Sequence, residues 1–215
     1  MRIFTKISMI VFISLFCLQS NAQTFGLKAG LNLSNMIFKD DDVNYSNDLN
    51  NIPGFHIGAI VDMPFNDFLS FESGLLFTTK GYKYYEESEG YNYNVKVKLY
   101  YPDIPLTIKA SHDLWKGLKM FGTAGPYVGV GLSGNVKGNV EGNNNKENIN
   151  WGSSDKDTFK RLEWGLTFGG GVEINSIIIG ISYDLGLSNI SSYQDNGVTA
   201  KNKVLKFSVG YMFGN

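Results

Sequence analysis

The chain offers few side chains for acid–base, nucleophilic or metal chemistry. It contains two histidines, His56 and His112, and one cysteine, Cys17. There is no HExxH motif and no histidine pair at metal-ligand spacing, and the GxSxG signature of common serine hydrolases is absent. The sequence therefore predicts no catalytic residue, no metal site and no cofactor. His56, on the polar side of an alternating segment, is interpreted as a hydrogen-bonding residue.

Charged residues of both signs recur on that same polar side of alternating segments. Because a strand directs alternate side chains to opposite faces, these charges share a face with glycine, serine and threonine. Buried charges must be paired, so we predict an interior ion-pair network in which Lys28 reaches Asp62 or Glu72. The network comprises Lys28, Asp62, Glu72, Lys109, Glu163, Glu173, Asp184 and Lys206. Arg161, near a loop, is interpreted equally well as a solvated rim residue.

Eight segments with period-two alternation would have to position these charges. Long and short connections alternate between them, as in outer-membrane barrels, and no apolar run reaches the length of a transmembrane helix. The segments are Thr24–Met36, Gly54–Met63, Phe68–Lys83, about Val95–Ala110, Lys119–Ser133, Arg161–Ile174, Ile177–Leu187 and Val204–Phe213.

The apolar faces of these segments must point either into a core or into lipid. The opposite faces are dominated by small residues, which make a poor solvent surface but suit the crowded interior of a narrow barrel. Aromatic residues near the strand ends fit interfacial girdles. We therefore predict an all-β fold, an eight-stranded antiparallel transmembrane up-and-down β-barrel with short periplasmic turns and long extracellular loops. A soluble lipocalin-like carrier is the rival fold.

The N-terminus reads as a secretory leader. Arg2 and Lys6 precede the apolar run 7–18, and Ser20-Asn21-Ala22 is a small-x-small cleavage site. Residues 1–22 are predicted to be a removed signal peptide and 23–215 the barrel domain. The 14% aromatic content argues against disorder, and the net charge of −1 without a basic stretch argues against nucleic-acid binding.

Two loops stand out for their composition. An asparagine-rich segment, about 134–160, is predicted to be a mobile surface loop. Tyrosines cluster around the second long connection and predict an aromatic hairpin beyond the membrane, where a protein or glycan partner could bind. Cross-strand pairs that merely stiffen the hairpin are at least as good an interpretation. The tyrosines are Tyr82, Tyr84, Tyr85, Tyr91 and Tyr93.

The order of several short motifs resembles the PorT-type outer-membrane β-barrel family of Bacteroidetes. They are GLKAGLNLSN, YPDIPLTIK, AGPYVGVGL, EWGLTFGGGVEI, YDLGLSNI and KNKVLKFSVGYMF, which together cover essentially the whole predicted mature chain. The resemblance implies an eight-stranded outer-membrane barrel, and one member class is tied to protein secretion and gingipain maturation. The chain ends Phe213-Gly214-Asn215, which displaces the aromatic C-terminal assembly signal of such barrels.

The sequence thus favours a non-enzymatic outer-membrane barrel with a plugged polar lumen, acting in envelope structure, surface binding or secretion. A narrow pore for small solutes is the main alternative, and an outer-membrane hydrolase using His56 is a lesser one. The expected partners are outer-membrane lipid, the barrel-assembly machinery and a protein or glycan at the extracellular loops.

Overall fold

The computed structural model describes residues 23–88, 91–140, 143–154, 157–193 and 195–213. The predicted signal peptide, 1–22, lies outside the described residues. Within them the fold is all-β with two short 3-10 turns, and no helix has the length and apolar character needed to cross a membrane. The strands are β1 Thr24–Lys39, β2 Leu49–Asn50, β3 Ile52–Pro64, β4 Leu69–Ser88, β5 Tyr91–Trp115, β6 Leu118–Val130, β7 Ser133–Val140, β8 Asn143–Asn148, β9 Leu162–Ile174, β10 Ile177–Gly186 and β11 Thr199–Phe213.

Eight of the eleven described strands close into a ring. Every neighbouring pair in the order β1-β3-β4-β5-β6-β9-β10-β11 is antiparallel. β1 then closes against β11, with Phe25 opposite Phe213 and Lys39 opposite Thr199. Closure pairs the edge groups that an open sheet would expose, which a wall in lipid requires.

The ring is inside-out compared with a soluble barrel. In β1, 58% of Phe25 and 69% of Leu31 is exposed, whereas Asn32 and Ser34 are each only 1% exposed. The same alternation runs along the other wall strands, so apolar side chains cover the outside and polar ones line the interior. A water-soluble barrel would bury the first set.

Short turns lie at one end of the ring and long connections at the other. β5 and β6 are joined by Lys116-Gly117, and β9 and β10 by Asn175-Ser176. Gly117 and Asn175 both have positive φ, 82° and 54°, and the Asn175 N–H donates to the Gly117 carbonyl over 2.7 Å. These two turns therefore support each other side by side.

The prediction of a mobile loop at about 134–160 was wrong, since this segment contains most of β7 and all of β8. β6 pairs with β5 only from Asp103 onwards, so the distal half of β5 lacks a neighbour in the ring. β7 takes that place, with Ser133 opposite Tyr100 and Val140 opposite Tyr93, and β8 pairs with β7. An unpaired edge of backbone donors and acceptors recruits the asparagine-rich chain despite its composition.

Candidate functional site

Ion pairs occupy the lumen near the short turns. Lys109 of β5 lies 2.7 Å from Asp62 of β3 and 3.4 Å from Glu173 of β9, measured from Nζ to the carboxylate oxygens. Lys28 of β1 lies 3.6 Å from Glu72 of β4, one of the two acids that the sequence analysis assigned to it. Five separate strands thus meet across the narrow interior through opposite charges.

A second cluster lies farther along the lumen, toward the long connections. Lys80 Nζ is 2.9 Å from Asp103 Oδ1 and 3.3 Å from Glu163 Oε2, and the Lys80 side chain is fully buried. Lys206 pairs with Asp184 and lies 3.9 Å from the other oxygen of Asp103. Asp103 therefore joins the two lysines into one network, in which each buried charge has an opposite charge as neighbour.

Aromatic and amide groups complete this second cluster. Tyr127 donates its hydroxyl hydrogen to Glu163 over 2.6 Å, and the Asn202 amide donates to the same carboxylate over 2.9 Å. The Lys80 ammonium lies 4.6 Å and 4.7 Å from the ring centres of Tyr101 and Tyr127. The Lys80 ammonium and the Glu163 carboxylate are thus held by hydrogen bonds and aromatic π faces.

The sequence analysis did not include Lys80 and Asp103 in the predicted network. Both lie on the inward parity of their strands: Lys80 follows Glu72 by eight residues, and Asp103 precedes Lys109 by six. Parity alone could have found them. Asp103 lies between Pro102 and Pro105, and the two prolines obscured the alternation there.

His56 links two side chains in the middle of the lumen. Its Nδ1 lies 2.7 Å from Asn32 Oδ1 and its Nε2 lies 3.0 Å from Ser208 Oγ. With Asn32 accepting, Nδ1 carries the proton and Nε2 accepts from the serine, which is the order of a serine–histidine–amide triad. His56 is 1% and Ser208 4% exposed, so the group lies inside the barrel wall and not at its surface.

Very little space is left inside this part of the barrel. The lumenal cavity beside His56, Lys206 and Asp184 has a volume of about 30 Å³, which is room for about one water molecule. Five buried apolar side chains pack into the lumen as well: Ile60, Leu76, Phe121, Ile178 and Met212. A wider space of about 510 Å³, lined by Asp62, Lys109 and Glu173, opens at the end with the short turns.

The opposite end is covered by an apolar cap in which the distal parts of β1, β5 and β11 pack against residues of the long connections. Trp151 packs edge-on against Tyr101, with ring centres 5.7 Å apart, and Tyr82 also packs against this group. The buried members of the cap are Met36, Val97, Leu99, Tyr101, Ile149, Phe159, Ile190 and Ala200. The distal strand ends and the long connections therefore share a hydrophobic core beyond the ion pairs.

The tyrosines proposed for partner binding differ in their surroundings where their side chains are described. Tyr82 faces the cap, whereas Tyr85 is 47% exposed. The Tyr84 hydroxyl donates to Glu86 over 2.6 Å. Tyr91 and Tyr93 belong to β5, opposite Ser88 and Glu86, but their side chains lie outside the described part of the structure.

The acidic turn after β1 is organised by its own backbone. Asp40 accepts hydrogen bonds from the N–H groups of Val43 and Asp42, over 2.7 and 2.9 Å. These donors, Val43 first, lower the pKa of the Asp40 carboxyl below its usual value. Within the described segments, no group of three or more histidine, cysteine or acidic side chains is arranged to hold a metal ion.

Comparison with known proteins gives the class to which this architecture belongs. Residues 19–192 match the family model described as outer membrane protein beta-barrel domain, which is well over half of the chain. The chain belongs to this family, and it is an outer-membrane β-barrel protein. No curated protein matches it.

Solved outer-membrane proteins resemble the chain only distantly. Ail of Yersinia pestis, in complex with the heparin analogue sucrose octasulfate, is 17% identical with a TM-score of 0.41, covering 90% of this chain and 100% of Ail. Neisserial surface protein A is 16% identical with a TM-score of 0.46 and the same coverages. OprG from Pseudomonas aeruginosa is 10% identical with a TM-score of 0.49, covering 90% and 97%. The assignment to the outer membrane accordingly rests on the family match and on the inside-out ring.

Proposed function

We propose that this protein is a non-enzymatic, non-conducting outer-membrane barrel that acts through its extracellular surface, in envelope structure or surface binding. The observation that carries the proposal is the filled lumen. Lys80 and Lys206 are paired with Asp103, Glu163 and Asp184, the cavity beside them is about 30 Å³, and the apolar cap covers the distal end. A hydrated ion has no continuous path through such an interior.

The same proposal fixes the arrangement in the membrane. The eight ring strands cross the bilayer, with the short turns in the periplasm and the β7–β8 hairpin outside the cell. The asymmetry of the connections supports this orientation, because outer-membrane barrels keep long loops outside. Export by the leader 1–22 and a PorT-type role in secretion belong to the proposal as well, supported by the leader composition and the motif order described above.

Planar-bilayer recording tests the closed lumen. We expect no steady conductance from the purified protein, under conditions in which a general porin inserted in parallel gives open-channel steps. A stable conductance that scales with the amount of inserted protein would establish the narrow-pore alternative instead.

Ser208, His56 and Asn32 favour a hydrolase as the second candidate function, since their hydrogen bonds follow the order of a catalytic triad. The surroundings argue against it. A cavity of about 30 Å³ cannot admit an ester carbonyl, and Ser208 lies in β11, between β1 and β10, where ladder bonds occupy the backbone N–H groups that an oxyanion hole would need. We expect no hydrolysis of phospholipids or short-chain esters. Activity that disappears in Ser208→Ala but survives in Ser182→Ala, another small lumenal serine, would reverse this conclusion.

A further inference from the structure

Four lysines lie directly opposite one another on four adjacent strands, β4, β5, β7 and β8, at the end of the barrel with the long connections. Lys83 of β4 lies opposite Lys96 of β5, Lys96 lies opposite Lys137 of β7, and Lys137 lies opposite Lys146 of β8. We call these four residues the lysine row. Lys98 lies two residues from Lys96 on the same side of β5.

The lysine row by itself destabilises the sheet through charge repulsion. Directly opposed residues of an antiparallel pair have Cβ atoms about 5 Å apart, and like charges there destabilise the sheet. The salt bridges of the described residues include none to the four lysines or to Lys98. Four in-register cations with no salt bridge among the described side chains attract anions from outside the chain.

The row continues the lipid-facing side of the barrel. Along β5, Lys96 and Lys98 have the same parity as Tyr100, Ile104 and Ile108. Ile104 and Ile108 are exposed on the outside of the ring. Along β4, Lys83 has the same parity as Phe77, which also faces outward. The residues of opposite parity, such as Val97 and Leu99, are buried in the cap. The row therefore faces the surrounding membrane and not the lumen.

Lys98 lies at the height of the headgroup layer, and the lysine row lies just above it, from where the long lysine side chains can reach down to the headgroups. Phe77 and Tyr100 stack with ring centres 6.0 Å apart at the end of the apolar belt, where an aromatic girdle marks the interface. Lys98 and Lys96 lie two and four residues beyond Tyr100, about 7 and 13 Å along the strand. Strand tilt reduces these to about 5 and 10 Å above the girdle, and the polar layer on each side of a bilayer is about 5 to 8 Å thick.

We propose that the lysine row binds the phosphate groups of an anionic glycolipid in the outer leaflet around the barrel. The phosphates would supply the missing counter-charge, and the lysine stems would lie along the outer face of the sheet. This inference rests on the proposed orientation, which puts the row at the outer leaflet.

The test uses the purified full-length protein in neutral detergent and lipid A as the phosphorylated probe. Binding is measured by native mass spectrometry, and the melting temperature is followed by circular dichroism. The variant K83Q/K96Q/K137Q/K146Q removes the row, and K39Q/K116Q/K119Q/K160Q removes the same number of charges elsewhere. We expect the wild type to bind lipid A and to melt at a higher temperature with it, an effect that high salt weakens.

The two variants should then differ in their affinity for lipid A. A lysine near an anionic surface strengthens binding about fivefold, so loss of four lysines should weaken lipid A binding about a hundredfold or more. The control variant should bind as the wild type does. Without lipid, the row variant should melt at the same temperature as the wild type or higher, because its loss removes repulsion.

Three results would overturn the proposal. One is wild-type lipid A binding by the row variant, and another is equal binding of dephosphorylated lipid A. The third is equal stabilisation by inorganic phosphate or by a soluble sulfated polysaccharide, which would make the row a site for free anions or glycans. None of them bears on the closed lumen, which conductance tests separately.

Discussion

At the scale of single residues, Lys80 is the charge on which the distal lumen depends. Its side chain is fully buried between Asp103 and Glu163, and the cavity of about 30 Å³ that Asp103 lines has room for about one water molecule, too little to hydrate both acids if the ammonium were removed. We expect Lys80→Met to lower the free energy of unfolding by about 3 to 5 kcal/mol, the usual effect of breaking a buried ion pair from one side. Urea unfolding in lipid vesicles measures this change.

Lys119→Met is the matched control for that substitution. Lys119 faces Asp113 at 4.0 Å with both side chains at least half exposed, so its loss should change stability by less than about 0.5 kcal/mol. Equal effects of the two substitutions would mean that the lumenal ion pairs contribute no more than surface pairs do.

Gly30 of β1 is a second residue at which a single added carbon atom should lower stability. A Cβ there would lie 1.8 Å from the carbonyl oxygen of Phe207 and 2.7 Å from His56 Cε1. The first of these is backbone of the neighbouring strand and cannot move away alone. We expect Gly30→Ala to destabilise the barrel by about 2 kcal/mol or more, through overpacking, with a lower melting temperature as the readout.

Gly122 of β6 supplies the comparison, because a Cβ there would meet nothing nearer than 3.8 Å. Gly122→Ala should leave stability unchanged or raise it slightly, since alanine restricts the unfolded chain. Equal changes in melting temperature for Gly30→Ala and Gly122→Ala would show that the close approach of β1 and β11 near His56 does not exclude a side chain at position 30.

At the scale of elements, the wall strands were predictable and the loops were not. Alternation along Phe25, Leu27 and Leu31 identifies β1 and its outward face because lipid demands apolar side chains at every second position. No comparable demand acts on Ser133–Val140, which forms β7 only because β5 leaves an edge there. Pairing partners distant in sequence leave no periodic signal in the segment that they recruit.

The β7–β8 hairpin gives this difference an experimental readout. Lys137 lies in mid-β7, paired on one side with Lys96 of β5 and on the other with Lys146 of β8. Trypsin needs an extended, locally unfolded substrate, so we expect the folded protein in detergent to resist cleavage after Lys137. The urea-unfolded chain should be cut there readily, and peptide mass spectrometry reports both. Rapid cleavage of the folded protein after Lys137 would restore the mobile loop that the asparagine content suggested.

At the scale of the whole molecule, the barrel interior is closed by a plug of successive side-chain layers. Along β11 the inward side chains run from Met212 through Ser208 and Lys206 to Asn202 and Ala200, from the apolar lumen packing to the cap. Strand parity was sufficient to predict which charged residues of the network share the inward face. The cap was not predictable, because Ile149, Phe159 and Ile190 come from connections whose packing against the distal strand ends depends on the closed ring.

The orientation of that plug makes the last prediction. Cys17 is the only cysteine and falls within the predicted leader, so single cysteines can be introduced into an otherwise thiol-free mature chain. Ser153, exposed beyond β8, lies at the long-loop end, and Asp67, exposed between β3 and β4, lies at the short-turn end. With long loops outside the cell, a membrane-impermeant maleimide should label Ser153→Cys but not Asp67→Cys on intact cells. Both should react once the outer membrane is permeabilised, which shows that each thiol is accessible. The opposite labelling pattern on intact cells would mean that the barrel has the inverse orientation. The wide space lined by Asp62 and Lys109 would then face the medium, and the lysine row would lie at the periplasmic leaflet, away from the glycolipid assigned to it.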